Sequence, residues 1–400
     1  MKISQKAEEA IQIGSLCTVF FLAVHFTRNT LSAVTPQLLD EGFAESYIGK
    51  VASLYLAFYA IGQLVNGAIG DKIKGRYMIS LGLLLAGVMN LVFANSIATQ
   101  SVAMLAYALT GFSMSMIYGP MAKLVSENTE PLYATRCSLS YTTASFFGSP
   151  IAGAFASVLA WKNVLIANST ALITMAVVSF FCILRFEKRG FVRYGQYRKA
   201  REKKGDCIKI LLRHHFIKFC LIAIVTGIIG TSVVFWLPTY FSQKLGFSPQ
   251  EAATIFMVVT LANTATVLLS GFIYELVHRN MNIILLVSFS VAAISFLLLY
   301  FVEMPVVNVI LIALAVMGSN SASTMLWSKY CPSLRDTGAV SSAAGFLNFL
   351  NFIGAAAANY LFAHAVSSIG WGNLILVWFA LMAFGTVICL PYHRFFRKTA

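Results

Sequence analysis

Long apolar segments recur along the whole chain and restrict it to one broad class of fold. A helix needs about 20 apolar residues to cross a bilayer, and stretches of that length follow one another throughout the sequence. Only 11% of the residues are charged, against roughly 25% in a soluble globular domain. The sequence therefore predicts an all-α membrane protein. We predict twelve transmembrane helices, over residues 13–39, 47–70, 77–95, 100–125, 137–159, 163–184, 215–242, 250–276, 281–301, 304–328, 338–364 and 371–391.

The chain shows signs of an internal duplication. Pro36 followed by Gly42-Phe43 is echoed by Pro238 followed by Gly246-Phe247, and the last span of each half opens with a tryptophan, Trp161 or Trp371. We predict an N-terminal six-helix half (1–184), a basic linker (185–213) and a C-terminal six-helix half (214–400). In parallel repeats of this kind a substrate site is expected near the midplane, where rocking of the halves gives alternating access.

The formal charge of +14 is distributed unevenly. If the termini share one side, the other side holds only Lys50, Lys162 and Lys244, so the positive-inside rule predicts that both termini are cytoplasmic. The linker contains eleven Lys or Arg residues interleaved with aromatic ones. Such a pattern could bind RNA, but we favour a linker that fixes topology and contacts lipid headgroups. We expect a monomer in the cell (inner) membrane, with membrane lipids as partners and no nucleic acid.

Arg28 lies inside the first span with no acidic neighbour in sequence. An arginine at the centre of a membrane helix costs about 2.5–3.5 kcal/mol on insertion scales, so a functional reason is expected. The favoured reason is a buried anion-binding site; the alternative is an arginine that snorkels to the headgroups. His25, Arg28, Ser32 and Thr35 recur at helical spacing and form one polar stripe.

Further polar residues are candidates for the same cavity. Tyr59, Gln63 and Asn66 share a face of the second span. In the other half the candidates are Asn263, the run Ser319-Asn320-Ser321, Asn348 and Asn351. Each of these groups could line a cavity or simply hold two helices together, since polar side chains do both in membranes. We predict substrate contacts at Tyr59, Gln63, Asn348 and Asn351 as well as at His25, Arg28 and Ser32.

A loop after the second span carries a family resemblance. Residues 67–76, Gly67-Ala-Ile-Gly-Asp71-Lys-Ile-Lys-Gly75-Arg76, resemble the Gly-x-x-x-Asp-x-x-Gly-Arg/Lys loop of the major facilitator superfamily, with one extra residue. The resemblance implies a conformational latch at Gly67, Asp71 and Arg76. Physically, Gly67 would permit a close helix approach and Asp71 could pair with Arg76. The alternative is that these are ordinary charges of an inner loop.

A narrower resemblance begins in the first helix. Residues 25–43, HFTRNTLSAVTPQLLDEGF, are similar to the organophosphate/inorganic-phosphate antiporters, which carry glycerol 3-phosphate or hexose 6-phosphate. An anion:cation symporter branch has a similar arginine. The resemblance assigns anion binding to Arg28 and a substrate-facing position to Tyr59. The antiporters carry an arginine, a lysine and a histidine at three further positions of the site. In this chain the corresponding residues are Gly230, Gln63 and, approximately, Ser145. A site with one strong cation makes a singly charged anion at least as plausible as a phosphate dianion.

The residue types that the predicted spans lack disfavour some classes of function. No Asp or Glu lies in the middle of a predicted span, which disfavours proton symport through carboxylates. His25 could carry a proton, but a hydrogen-bonding role is favoured. Residues 148–153 partly resemble the Gly/Pro motif of antiporters. We predict no enzyme, cofactor or metal site. The leading function is alternating-access transport of a small organic anion, an organic acid or phosphorylated metabolite, and the alternative is a membrane sensor that binds such an anion without moving it.

Overall fold

The computed structural model describes residues 5–70, 73–194, 215–278, 280–334 and 340–390, and all regular structure in these ranges is helical. Each helix carries an apolar surface that packing or lipid must cover. We number them α1 (Gln5–Asp40), α2 (Glu45–Gly70), α3 (Gly75–Ser96), α4 (Gln100–Asn128), α5 (Pro131–Phe146), α6 (Gly148–Val158), α7 (Trp161–Lys188), α8 (Phe216–Gly227), α9 (Val234–Gln243), α10 (Pro249–Leu276), α11 (Met281–Phe301), α12 (Pro305–Met325), α13 (Cys331–Ser333) and α14 (Val340–Cys389). Two π-helical turns continue α8 and α12, at Ile228–Val233 and Leu326–Tyr330.

Ten helices in the described part of the chain are long and apolar enough to cross a membrane. Two features explain the difference from the twelve predicted spans. The fifth predicted span consists of the two shorter helices α5 and α6, and the last two form the single helix α14, whose backbone leaves the helical region at Gly370 (φ 74°, ψ 169°). The count of twelve crossings stays a prediction.

The break between α5 and α6 has a local cause. Pro150 has no N–H to donate to the carbonyl four residues earlier, so it weakens the helix just after Phe147. At the same place α6 approaches α1 closely: a Cβ on Gly148 would lie 2.5 Å from the carbonyl carbon of His25. The interruption therefore brings a short helix against the part of α1 that precedes Arg28.

The chain folds into two compact units. The first contains residues Met1–Glu202 and Phe235–Leu261, and the second contains Lys203–Val234 and Ala262–Ala400. In the first unit, Ser32 donates a hydrogen bond to the carbonyl of Phe235 (2.7 Å) and Gln243 donates one to Glu45 (2.8 Å), so residues 235–261 pack with the N-terminal helices. The predicted division at 185–213 follows chain order and stays a prediction.

The repeated sequence marks coincide with repeated backbone features. Gly42 and Gly246 both end a helix with positive φ, 91° and 77°. Glycine reaches that region without a Cβ clash, which suits a helix C-terminus. Trp161 opens α7, and Trp371 follows the break at Gly370 inside α14.

Small residues let the helices of the first unit approach closely. A Cβ on Gly62 would lie 2.2 Å from Ser115 Oγ, and one on Gly111 would lie 2.2 Å from the carbonyl oxygen of Tyr55. Both glycines therefore belong to the interface between α2 and α4. Gly67 makes no such contact in this structure, because it is exposed and a Cβ there would meet no atom within 4 Å; its role in the latch stays a prediction.

Candidate functional site

Arg28 lies deep within α1 and is half-buried. The helix continues for twelve residues to Asp40, which is about 18 Å along a helix axis. The guanidinium carbon lies 5.4 Å from the ring centre of Tyr59, which occupies the middle of α2. Such a contact lets the π face of the ring stabilise the cation. This geometry favours a guanidinium held within the first unit over one that snorkels to the headgroups.

The aromatic partner of Arg28 is itself held in place. Tyr59 stacks on Tyr55 with ring centres 6.4 Å apart and planes 9° apart. Tyr55 is buried, and its hydroxyl donates to the sulfur of Met114 at 3.1 Å. The ring of Tyr107 packs against that of Tyr55, with ring centres 5.0 Å apart. The ring facing Arg28 therefore rests on a packed aromatic row rather than on a mobile side chain.

His25 lies one turn before Arg28 on the same helix. Its half-buried ring meets Phe21 edge to face at 4.7 Å, and its backbone carbonyl accepts a hydrogen bond from Asn29 at 2.7 Å. With Gly148 packed against its backbone, His25 is fixed in position. The predicted hydrogen-bonding role toward substrate stays a prediction.

Two other members of the α1 stripe have packing partners. The buried Ser32 hydroxyl donates to Phe235, and the buried Thr35 hydroxyl donates to the carbonyl of Leu31 at 2.6 Å. Their donors are thus occupied within the protein. Ser32 secures α1 against α9, and its predicted contact with substrate stays a prediction.

The polar residues that share a face of α2 also differ in their surroundings. Gln63 is half-buried on the face shared with Tyr59. Asn66 is 3% exposed, and its amide donates to Ser115 Oγ at 2.7 Å on α4. Asn66 therefore fastens α2 to α4, whereas Gln63 remains a candidate for substrate contact.

The predicted latch has a partner that the sequence did not reveal. Asp71 lies outside the described residues, so its pairing with Arg76 stays a prediction. Arg76 is 7% exposed, and its Nη1 lies 2.5 Å from a carboxylate oxygen of Glu187 at the end of α7. Arg76 Nε has no hydrogen-bond partner among the described residues.

A tyrosine from the start of the predicted linker completes this cluster. The Tyr194 hydroxyl donates to Glu187 at 2.9 Å and accepts from the backbone N–H of Arg76 at 3.3 Å. Burial raises the pKa of Tyr194 well above its ordinary value, so the hydroxyl keeps its proton. We call Arg76, Glu187 and Tyr194 the inner cluster. Nothing in the local sequence pairs these residues, since 111 positions separate Arg76 from Glu187.

The second unit contains its own polar cavity, of about 160 Å³. The structure brings the predicted candidates Asn348 and Asn351 together there with part of the Ser319-Asn320-Ser321 run. We call it the C-terminal cavity. Its lining residues are Thr226, Gly230, Thr231, Ser319, Asn320, Ser323, Trp327, Asn348, Asn351 and Phe352.

The two predicted asparagines differ in their surroundings. Asn351 donates to the carbonyl of Ala223 at 3.0 Å, and a Cβ on Gly227 would lie 2.2 Å from the Asn351 carbonyl oxygen. It therefore joins α14 to α8 as well as lining the cavity. Asn348, one turn earlier, is half-buried on the cavity wall.

Sequence reasoning missed the residues that π-helical turns bring to this cavity. Gly230 and Thr231 lie in the turn after α8, and Trp327 lies in the turn after α12. Short π-helical segments are rare and often occur at functional sites. The only sequence signal was Gly230, noted as the position where antiporters carry an arginine.

Known proteins share this sequence pattern and fold. The sequence profile of the Major Facilitator Superfamily matches residues 16–359. The chain belongs to the major facilitator superfamily. It is thus a multi-pass membrane protein of a transporter family, with the major facilitator fold.

The relatives in sequence support the narrower resemblance. The glycerol-3-phosphate transporter of Bacillus subtilis (strain 168) is 21% identical over 89% of this chain and 86% of its own. The membrane sensor protein UhpC of Escherichia coli (strain K12) is 23% identical over 92% of this chain and 88% of its own. The resemblance to the organophosphate antiporter branch is confirmed, at low identity.

Solved structures give the same fold at lower identity. A bacterial homolog of the human lysosomal transporter Spinster, in an inward-facing and unoccupied conformation, has a TM-score of 0.78 at 12% identity and covers 99% of both chains. A D-xylose-proton symporter has a TM-score of 0.73 at 11% identity and covers 95% of this chain and 97% of its own. These likenesses establish the fold.

Proposed function

We propose that this protein is a secondary active transporter of a small, singly charged organic anion, and that Arg28 binds the charged group. The observation that carries the proposal is a half-buried arginine in the middle of α1, held beside Tyr59. A cation at this depth is costly unless an anion accompanies it. Arginine also offers a planar fork of donors that fits a carboxylate or phosphate.

The charge of the substrate follows from the positions at which the phosphate-ester antiporters carry further cations. Gln63 occupies the position where the phosphate-ester antiporters carry a lysine, and Gly230 the position where they carry an arginine. A phosphate dianion would need a second cation to offset its loss of hydration. We therefore favour a monoanion, and exchange against inorganic phosphate is the test that separates the two substrate classes.

Transport can be measured with purified protein in liposomes. A panel of labelled organic anions is offered outside, with and without inorganic phosphate inside. We expect uptake of a monoanion to be lost in Arg28→Ala. If a phosphate ester is taken up instead, and its uptake depends on inorganic phosphate inside the liposomes, the monoanion proposal is wrong and the protein exchanges phosphate esters for phosphate. Unimpaired uptake by Arg28→Ala would remove Arg28 from the site.

A sensor is the second candidate function, because UhpC is one of the relatives that match along most of the chain. The two functions predict different results in the same vesicles. A sensor would bind the anion, seen as a ligand-dependent rise in Tm of the detergent-solubilised protein, without accumulating it in the vesicle lumen. A transporter would bind the anion and also accumulate it in the vesicle lumen.

We further propose that both termini are cytoplasmic and that the membrane is the cell (inner) membrane, from the asymmetric distribution of Lys and Arg. The loop after α1 is then outside. Ser46→Cys should react with a membrane-impermeant thiol reagent added to whole cells. Labelling of this position from the cytoplasmic side alone would invert the topology.

A further inference from the structure

The helices α3 and α7 present an apolar groove on the surface of the first unit. Both are long and apolar enough to cross a membrane. Leu81 and Leu84 on α3 and Val177 and Phe181 on α7 border the groove, and each is at least 40% exposed. The volume between them is about 350 Å³. Exposed apolar side chains on a membrane-spanning helix meet lipid chains, so this groove, which we call the α3–α7 groove, is open to lipid.

The floor and walls of the groove offer little but carbon surface. The floor consists of the small side chains of Ser80 and Ala176, both buried. The hydroxyl of Ser80 shares a hydrogen bond with that of Ser179, at 3.2 Å, and is therefore satisfied. The rings of Tyr77 and Phe180 stand on opposite walls with their centres 6.2 Å apart. A hydrocarbon chain can fill this groove without leaving a buried polar group unpaired.

Arg76 holds the aromatic walls at one end of the groove. Its Nη2 donates to the Tyr77 hydroxyl at 2.7 Å, and its guanidinium carbon lies 5.2 Å from the centre of the Phe180 ring. Arg76 is only 7% exposed and already forms an ion pair with Glu187. It therefore shapes the end of the groove and is not accessible to a lipid headgroup.

Two exposed cations extend the walls beyond the same end. Lys74 comes three residues before Tyr77, and Arg185 comes four residues after Phe181, in the last turn of α7. Residues three or four positions apart share a face of a helix, so both cations continue the groove-lining faces. Neither forms an ion pair within the described ranges. The groove is thus apolar along its length and basic at one end.

We propose that the α3–α7 groove binds one acyl chain of an anionic phospholipid, and that Lys74 and Arg185 hold its phosphate group. The lining from Tyr77 to Leu84 covers about 10 Å along the helix axis. The hydrocarbon of one leaflet is about 15 Å thick, so the groove matches most of a chain whose headgroup lies at the basic end. This inference does not depend on Arg28 or on the transported substrate.

The test uses the purified protein, freed of lipid in detergent. Phosphatidylglycerol and phosphatidylcholine with identical acyl chains are titrated separately, and the lipid bound to each protein is counted by native mass spectrometry. A basic residue near an anionic headgroup raises affinity about fivefold. With two such residues, we expect one lipid to bind with a preference for phosphatidylglycerol of about tenfold or more, and the preference to fall with added salt.

A pair of double variants tests the basic end. Lys74→Gln with Arg185→Gln should reduce the preference for phosphatidylglycerol to about twofold or less. Lys50→Gln with Lys162→Gln changes the net charge equally at two exposed lysines of α2 and α7 that do not line the groove, and should keep the preference.

A pair of single variants tests the groove itself. Val177→Trp places a large side chain in the groove from an exposed position and should weaken binding of phosphatidylglycerol about fivefold or more. Val178→Trp is the matched control, because Val178 is also exposed but does not line the groove. An unchanged Tm in detergent shows that both variants are folded.

Three results would overturn the inference. The first is equal affinity of the wild type for the two lipids, and the second is an equal loss of preference in the two double variants. The third is equal binding by Val177→Trp and Val178→Trp. All three leave the proposed function intact, because its own test is the loss of anion uptake in Arg28→Ala.

Discussion

The two compact units use their interior polar groups differently. In the first, Arg28 faces the Tyr59 ring and Arg76 is held by Glu187. In the second, the buried polar side chains of the described residues are all hydroxyls and amides, Ser319 and Asn351 among them. Among the described residues, the first unit thus combines charged groups with neutral hydrogen bonds, whereas the buried polar groups of the second unit are neutral. The two units therefore differ in the polar chemistry of their interiors.

This difference ranks the expected effects of mutation. An ion without a counter-ion in a low-dielectric interior loses several kcal/mol, whereas a lost neutral hydrogen bond costs about 1 kcal/mol. Changes at Arg28 should therefore decide whether an anion binds. Changes in the C-terminal cavity, where only neutral hydrogen bonds are lost, should have smaller effects.

Arg28→Ala tests the charged side of the comparison and should have the largest effect. An anion left without its cation loses about 3–5 kcal/mol, by analogy with a broken buried ion pair. We expect binding to weaken more than a hundredfold, measured by equilibrium binding in detergent. Arg28→Lys keeps the charge but loses the planar fork, and should give an intermediate loss.

A matched control for Arg28 is Arg136→Ala, which removes an exposed arginine of α5. It should leave anion binding unchanged and show that net charge alone is not responsible. If Arg28→Ala bound its substrate normally, the substrate would be neutral or cationic and the comparison between the units would lose its basis.

Gly230→Arg tests whether the neutrality of the second unit sets the substrate charge. The open space around Gly230 can receive a side chain, and the new cation would stand in a cavity whose lining is otherwise uncharged. We expect the ratio of kcat/KM for a phosphate ester to that for a monoanion to rise by tenfold or more. Gly345→Arg, at another exposed glycine with open space, is the control. Equal ratios in the two variants would show that Gly230 does not govern charge selection.

The inner cluster tests whether every charge of the first unit serves binding. Asp71 and Arg76 lie more than forty residues along the chain from Arg28, and Arg76 is in the first turn of α3. We predict that Asp71→Asn lowers the transport rate while equilibrium binding stays within a few-fold. Glu187→Gln, which removes the counter-charge of Arg76, should act similarly. Loss of binding with an unchanged transport rate would instead place these residues in the substrate site.

Tyr194→Phe should give the smallest effect, because it removes only the hydroxyl that links Glu187 to the Arg76 backbone. Residues 189–194 should then be cut faster by trypsin, with little change in transport.

The same hydroxyl predicts how the folded segment responds to pH. Burial raises the pKa of Tyr194, so the protonated side chain stabilises the folded state. This stabilisation is complete below about pH 10, the ordinary tyrosine pKa, and is lost as the pH rises through the raised pKa. The wild-type cleavage rate, corrected for trypsin activity, should not change between pH 7 and pH 9. A rise in that range would mean that Tyr194 does not hold the segment.

The amino-acid sequence determined the features that depend on local chemistry. Apolar length located most of the helices, because crossing a bilayer sets a minimum run of apolar side chains. It placed the start of α1 eight residues too late and divided α14 into two spans. Gly42 and Gly246, which the sequence marks as a repeated pair, both end helices with positive φ, a conformation that glycine adopts without strain. Arg28 was conspicuous because a charge inside an apolar span is costly wherever the helix packs.

The tertiary structure decided which partner each polar side chain meets. Helical spacing placed Ser32, Asn66 and Asn351 on promising faces, but all three hold neighbouring helices together. Glu187 meets Arg76 only because α3 packs on α7. The C-terminal cavity is lined by residues of two π-helical turns, which the periodicity of the sequence does not predict. Periodicity specifies the face on which a residue lies, whereas its hydrogen-bond partner is fixed by packing between residues far apart in sequence.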